Sequence, residues 1–190
     1  MKRSIDTCLA LICLILFLPL FALIYVAIRM EDGGPAFFKQ ERIGRNGKPF
    51  NILKFRSLKT NTEQEEYALL KHERHNNLTR IGRFLRDHHL DELPQLWNVL
   101  VGDMAFVGPR PERKYYIDMI IERDKRYTQL YALRPGVTSY ATLHNGYTDT
   151  MEKMLIRLQM DLDYLEHQSL WLDTKILAQT FVGIVFGKKF

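Results

Sequence analysis

A chain of 190 residues can bury one core with an appendage and is too short for two independent domains and a linker. Its composition, 46% hydrophobic and 26% charged, supplies that core, and the net charge of +5 favours anionic partners: phosphates, nucleic acid or acidic lipid. Both cysteines, Cys8 and Cys13, lie in the apolar N-terminus, so no disulfide is expected and the body should face a reducing compartment.

The first element is apolar. Residues 7–28 carry no charged side chain, and roughly 22 residues at 1.5 Å each suffice for about 30 Å of hydrocarbon. A cleaved signal peptide fits poorly: its apolar run is about 7–15 residues and ends in a small-x-small site, which this stretch lacks. Lys2 and Arg3 flank the run on one side, and Arg29, Lys39, Arg42 and Arg45 on the other, so both ends read as cytoplasmic. Pro19, near the middle, removes a backbone donor and clashes with the preceding turn. A re-entrant helix broken at Pro19 satisfies both observations, and a spanning helix with a proline kink remains open beside it.

Residues 36–42 and 49–56 are short β-like runs, and Gly44-Arg45-Asn46-Gly47-Lys48 between them predicts a hairpin turn. The basic run Lys39, Arg42, Arg45, Lys48, Lys54, Arg56 and Lys59 has only Glu41 against it; strand alternation should place several of these cations on one face. Such a face attracts phosphate, or simply rests on anionic head groups. Residues 61–77 are polar without periodicity, a solvated helix or loop, where the i, i+3 pair His72 and His75 lacks the further ligand that a metal needs.

Leu93, Leu96, Trp97 and Leu100 recur at helical spacing up to Gly102, predicting a short helix with these four on its buried face. Asp91 and Glu92 precede it, with Pro94 in its first turn. Ordinary N-capping accounts for them. So does a functional role, because an ionised carboxylate at a helix mouth, with Arg83 and Arg86 upstream, sits where a neighbouring phosphate is favoured. In Gly102 to Pro111, glycines and prolines exclude a helix and hold Arg110 between two prolines, a fixed guanidinium suited to phosphate.

Residues 112–130 and 150–166 read as amphipathic helices, separated by Arg134-Pro135-Gly136 and Asn145-Gly146 turns. Asp161-Leu162-Asp163 matches a short metal-binding pattern of many sugar transferases, but on a helix the two side chains diverge, so the match is attributed to chance. The apolar tail, residues 171–186, followed by Lys188 and Lys189, suits either the membrane interface or core packing.

Taken together, Lys54-Phe55-Arg56-Ser57, Leu90-Asp91-Glu92-Leu93-Pro94-Gln95-Leu96-Trp97-Asn98, Gly102-Asp103-Met104 through Gly108-Pro109-Arg110-Pro111, and Arg134-Pro135-Gly136 resemble the bacterial sugar transferases, or small monotopic phosphoglycosyl transferases. Order and spacing match across nearly the whole chain. The resemblance implies an α+β, mostly helical fold: a re-entrant membrane helix over residues 1–30, broken at Pro19, and a catalytic domain over residues 31–190. That domain would hold a β-hairpin and amphipathic interfacial helices on the inner leaflet of the bacterial cytoplasmic membrane, with phospholipid as neighbour and the active site on the cytoplasmic face.

It also implies a Mg2+-dependent, two-step reaction. Asp91 attacks the β-phosphorus of a UDP-sugar, UMP leaves, and the phosphosugar passes to undecaprenyl phosphate, the first membrane step of a surface glycan pathway. In this scheme Asp91 is the nucleophile, and Glu92 is a metal partner or proton acceptor. Asp91 and Glu92 hold Mg2+, Lys54, Arg86, Arg110 and Arg134 surround the phosphates, and Asp173 supports the site.

The chain departs from the family pattern at Ser139, often Gly, at Tyr147, often Arg, and at His88 and His89, commonly small hydroxyl residues. Two other functions are kept open: a membrane-anchored glycosyltransferase releasing UDP, and a basic membrane adaptor without catalysis. Nucleic acid is not an expected partner, since the interleaved exposed aromatics of a single-strand platform are missing.

Overall fold

A computed structural model describes residues 1–59, 77–146, 148 and 150–186. His72, His75, nearly all of the polar segment around them, Tyr147, Lys188 and Lys189 lie outside the described residues.

The apolar N-terminus forms two helices, α1 (Lys2–Leu16) and α2 (Leu18–Asp32), bent by 60°. The break falls at Phe17, and Pro19 occupies the first turn of α2, where its missing N–H breaks no ladder bond and its ring blocks a straight continuation of α1. Among the described residues no single helix is long and apolar enough to cross a membrane; the bent pair meets that test only together. Ala10, Ile24 and Ile28 are buried against the body, while Ile12, Ile15, Leu16, Leu18 and Leu23 point outward.

The hairpin forms as read. Strands β1 (Phe37–Ile43) and β2 (Pro49–Phe55) are antiparallel, with Phe37 opposite Phe55 and Ile43 opposite Pro49. The loop turns because Asn46 and Gly47 both take positive φ, 59° and 70°.

Helix α3 (Arg80–Asp87) is capped twice: Thr79 Oγ1 accepts from Gly82 N at 2.8 Å, and the Glu31 carboxylate accepts from Arg80 N and Ile81 N. The short helix α4 (Gln95–Val101) ends at Gly102, whose φ of 102° closes it. Leu96 and Val99 are buried, but Trp97 is exposed, contrary to its expected place on the buried face; Leu100 is partly buried against the core.

Beyond α4 runs β3 (Ala105–Val107), pairing in parallel with β4 (Gly136–Thr138). A Cβ on Gly136 would sit 2.2 Å from the Gly108 nitrogen, so the close approach of the two loops requires glycine.

The expected helix over residues 112–130 is interrupted. It divides into α5 (Lys114–Arg123) and a 3-10 segment, Lys125–Ala132, because Asp124 takes an extended conformation and its side chain caps the next turn by accepting from Arg126 N. After α6 (Tyr140–Asn145) come α7 (Met151–His167), capped by Thr150, and α8 (Leu170–Val185), capped by Ser169. Asp161 points inward and Asp163 outward, as divergence on a helix requires.

Three apolar clusters hold these elements. One joins α1, α4, β3 and α8 through Ala10, Val99, Met104, Val107 and Ile176; a second joins α5 to α7 through Ile117, Ile120, Leu158 and Leu162. The third seats α2 on the hairpin and α3 through Ile24, Ile28, Phe55 and Leu85. Along α8, Ile176 is buried while Trp171, Phe181 and Phe186 are exposed, so the tail helix has both a core face and an outer apolar face.

Candidate active site

The Asp91–Glu92 pair lies in a turn fixed from both sides. After α3 ends, the His88 ring packs on Phe84 with centroids 4.3 Å apart, and its Nδ1 lies 2.8 Å from the Phe84 carbonyl. His89 then adopts a left-handed φ of 55°, and the chain reverses into a 3-10 turn, Leu90–Glu92. Leu90 and Leu93 pack on the Ile24–Phe55–Leu85 cluster, so the turn is anchored where α2, the hairpin and α3 meet. Capping does not explain the pair: α4 begins at Gln95, Pro94 holds the cap position, and the side-chain cap bond expected there is not made.

Both carboxylates are largely buried among cations. Glu92 Oε1 accepts from Lys54 Nζ at 2.7 Å and from Arg110 Nη2 at 3.3 Å. Burial opposes charge on Glu92, but Lys54 and Arg110 outweigh it and hold the carboxyl well below the usual carboxylate range. Asp91, 8% exposed, goes the other way: burial raises its proton affinity, Lys54 opposes that, and Glu92 adds to it. Arg86 and His89 also pull it down, so four positively charged or ionisable groups, counting Arg110, surround two carboxylates.

Residues not singled out from the sequence position the pair. Asn98, 3% exposed, ties α4 to the hairpin: its Oδ1 accepts from Leu53 N at 2.9 Å, and its Nδ2 donates to the Asn51 carbonyl at 2.8 Å. The hairpin residue next to Leu53 is Lys54, so this bond sets the height of the ammonium over Glu92. Arg86 Nε donates to Ser57 Oγ at 2.8 Å. That contact depends on Gly82, where a Cβ would lie 2.1 Å from the Ser57 carbonyl oxygen. Arg56, fully buried, pairs with Asp32 at the end of α2. Asn98 and Ser57 stood inside the recurring motifs, but nothing in their spacing reveals which backbone they would reach.

Three cations of the hairpin region are paired with carboxylates. Lys54 serves Glu92, Arg56 serves Asp32, and Arg42 reaches Glu112 at 3.5 Å. Arg134 and Asp173 also have other partners. Arg134 Nε donates to the Gly102 carbonyl at 2.9 Å, at the end of α4 remote from Asp91, about 10 Å along the helix. Asp173 accepts from Lys2 Nζ and Tyr164 Oη, each at 2.5 Å. The structure thus gathers Asp91, Glu92, Lys54, Arg86 and Arg110, and leaves Arg134 and Asp173 on the far side of α4.

Among the described residues no group of three or more His, Cys, Asp or Glu side chains is placed to hold a metal by itself. The donor set does suit a hard cation completed by substrate oxygens, since Mg2+ is commonly bound by one or two carboxylates plus phosphates. Asp91 and the Oε2 of Glu92 are the groups available for that.

Fold and site together combine a bent apolar helix pair with a carboxylate pair set among cations. The chain belongs to the bacterial sugar transferase family, which it matches over residues 1–187. It is 41% identical over 186 residues to a UDP-glucose:undecaprenyl-phosphate glucose-1-phosphate transferase of Caulobacter vibrioides, covering 97% of this chain and 69% of that protein. It is 38% identical to the protein of that name in Escherichia coli, covering 97% of this chain and 40% of the relative. A UDP-N-acetylgalactosamine-undecaprenyl-phosphate N-acetylgalactosaminephosphotransferase of Aeromonas hydrophila is 37% identical, with coverage of 98% and 44%. The chain therefore spans less than half the length of two of these relatives.

Proposed function

We propose that this chain transfers a sugar-1-phosphate from a UDP-sugar to undecaprenyl phosphate, releasing UMP, with Asp91 as a covalent nucleophile. The observation that carries the reading is the clamp on Glu92: Lys54 and Arg110 converge on one carboxylate oxygen beside a second carboxylate at the mouth of a short helix. A diphosphate and a carboxylate repel each other, and catalysis of their reaction consists largely in neutralising that repulsion.

In the first step an Asp91 oxygen bonds to the β-phosphorus, and the bond from that phosphorus to the bridging oxygen breaks, its electron pair leaving with UMP. In the second, an oxygen of undecaprenyl phosphate bonds to the same phosphorus, and the acyl-phosphate bond breaks to restore the Asp91 carboxylate. Two displacements replace one difficult transfer. Mg2+ held by Asp91, Glu92 and the diphosphate would supply further neutralisation of the phosphate oxygens. Lys54 and Arg110 keep Glu92 ionised, and Lys54 with Arg86 works against the burial that favours protonated Asp91.

The membrane placement rests on the apolar surfaces. The α1–α2 pair, Trp97 and the outer face of α8 expose large apolar side chains that a lipid surface would cover. We infer a re-entrant pair lodged in the cytoplasmic leaflet, residues 31–190 on the cytoplasmic face, and a role early in a surface glycan pathway. The test is a panel of UDP-sugars with undecaprenyl phosphate in detergent micelles. UMP as product supports the reading; UDP would select sugar transfer without phosphate; no nucleotide released from any donor would favour a non-catalytic adaptor.

A further inference from the structure

At the far end of α4 the structure opens a cavity of ≈ 170 Å3. Its wall includes Lys2, Arg3 and Asp6 from the start of α1, Arg45 from the hairpin loop, Arg134 from the approach to β4, and Gln168 from the end of α7. Four cations thus meet around a space whose lining holds one carboxylate.

The partners of Arg3 and Arg134 orient them without cancelling their charge. Arg3 donates to the carbonyls of Val99 at 2.5 Å and Leu100 at 2.8 Å, and Arg134 Nε donates to Gly102. These are the last carbonyls of α4, the negative end of its dipole, which holds a guanidinium in place and carries only a fraction of a charge. Lys2 is matched by Asp173 just outside the cavity. Arg45 is exposed at the rim. The crowding is felt at Arg134: burial, then Arg45 and Arg3, push its pKa down. Asp6 relieves this only partly, because burial pushes its own pKa up, against the pull of Lys2.

We propose that this cavity is a second anion site, binding a phosphate group chiefly through Arg45 and Arg134, on the opposite end of α4 from Asp91. It adjoins the first turn of the apolar helix pair, so the phosphate of an anionic phospholipid and a soluble phosphate both suit its chemistry. The site does not depend on the proposed turnover and is measured without it.

The experiment uses the full chain carrying Asp91→Asn in detergent micelles, with the melting midpoint followed at constant ionic strength. One arm titrates inorganic phosphate; the other replaces phosphatidylcholine with phosphatidylglycerol in the micelle. A saturable rise in midpoint is expected in at least one arm, with Arg45→Ala weakening apparent affinity about tenfold, as loss of one charge-assisted contact does. Lys54→Gln, at the other end of α4, should leave the response intact. A response to inorganic phosphate assigns a soluble ligand, and a response to phosphatidylglycerol alone assigns a lipid head group. No saturable rise in either arm, or a rise that Arg45→Ala leaves unchanged or Lys54→Gln abolishes, overturns the site.

Discussion

Two carboxylate pairs in this chain share one electrostatic plan. Glu92 is bridged by Lys54 and Arg110 beside a buried Asp91; Glu112 is bridged by Arg157 at 2.7 Å and Arg42 at 3.5 Å near a buried Asp161. In both, burial raises the proton affinity of the aspartate, to about 7 for Asp161. They differ in access. Asp161 sits mid-helix on α7 between Leu158 and Leu162, 3% exposed, and its Oδ1 has no hydrogen-bond partner among the described residues. Asp91 sits in a turn, and the Arg110 side chain next to the pair keeps 40% of its surface. The charge arrangement alone therefore does not separate the two pairs; the exposure beside the carboxylates does.

The sharpest way to break that comparison is to remove one charge from each pair. Asp91→Asn should lower UMP release by about 10⁴-fold or more, as loss of a covalent nucleophile does, with little change in melting midpoint. Asp161→Asn should leave turnover within about threefold of the parent, the scale of a substitution that touches no transition-state contact. Equal losses in both would erase the distinction.

Next in size are the clamp residues. Lys54→Met and Glu92→Gln should each lower kcat about 10²-fold, the scale of removing one electrostatic contact at a reacting centre, while the matching change Arg42→Met should act on stability and leave kcat. Steady-state rates read beside thermal melts separate the two outcomes.

Gly82→Ala sharpens the positional part. Its Cβ would collide with the Ser57 carbonyl, so α3 must shift, costing about 1–3 kcal/mol, or about 2–4 °C in melting midpoint per kcal/mol. Activity should fall with it, because Arg86 rides on α3; a variant with unchanged midpoint and turnover would show that this approach does not position the site.

The smallest effect on turnover accompanies a pH dependence of stability. A carboxyl whose folded pKa is about 7 against an ordinary 3.8 holds its proton better when folded, so stability falls as pH rises through that window and levels off above it. The slope from Asp161 is at most about 1.4 kcal/mol per pH unit. Melting curves of parent and Asp161→Asn should converge at pH 4 and separate towards pH 7, the variant being the more stable; parallel curves would remove Asp161 from the account. The groups facing it are Arg157 and Glu112.

Much of this was legible in the sequence where the cause is local. The Asn46-Gly47 turn, the Gly102 stop and the break near Pro19 each depend on residues within a few positions. The grouping of Asp91 and Glu92 with Lys54, Arg86 and Arg110 was legible through the resemblance, and the structure brings those five together. What spacing does not carry is the partner across space. Arg134 reaches the Gly102 carbonyl and Asp173 the ammonium of Lys2, contacts that motif spacing does not announce. Strands β3 and β4 have three residues each, too few for alternation to register. Trp97 and Leu96 look alike in an apolar pattern, which does not distinguish a face turned to the core from one turned outward. At Asp124, capping of the following turn prevailed over an amphipathic pattern that ran straight through it.

The central claim is a bond between Asp91 and phosphorus, and it can be observed without the acceptor. The chain is incubated with a UDP-sugar that it turns over, quenched in acid and digested, and the peptide containing Asp91 is weighed. The account predicts a mass increase of one sugar phosphate on Asp91, formed with release of one UMP and lost when undecaprenyl phosphate is added before the quench. Turnover with the peptide unmodified at every time sampled, or with the adduct on another residue, would contradict it.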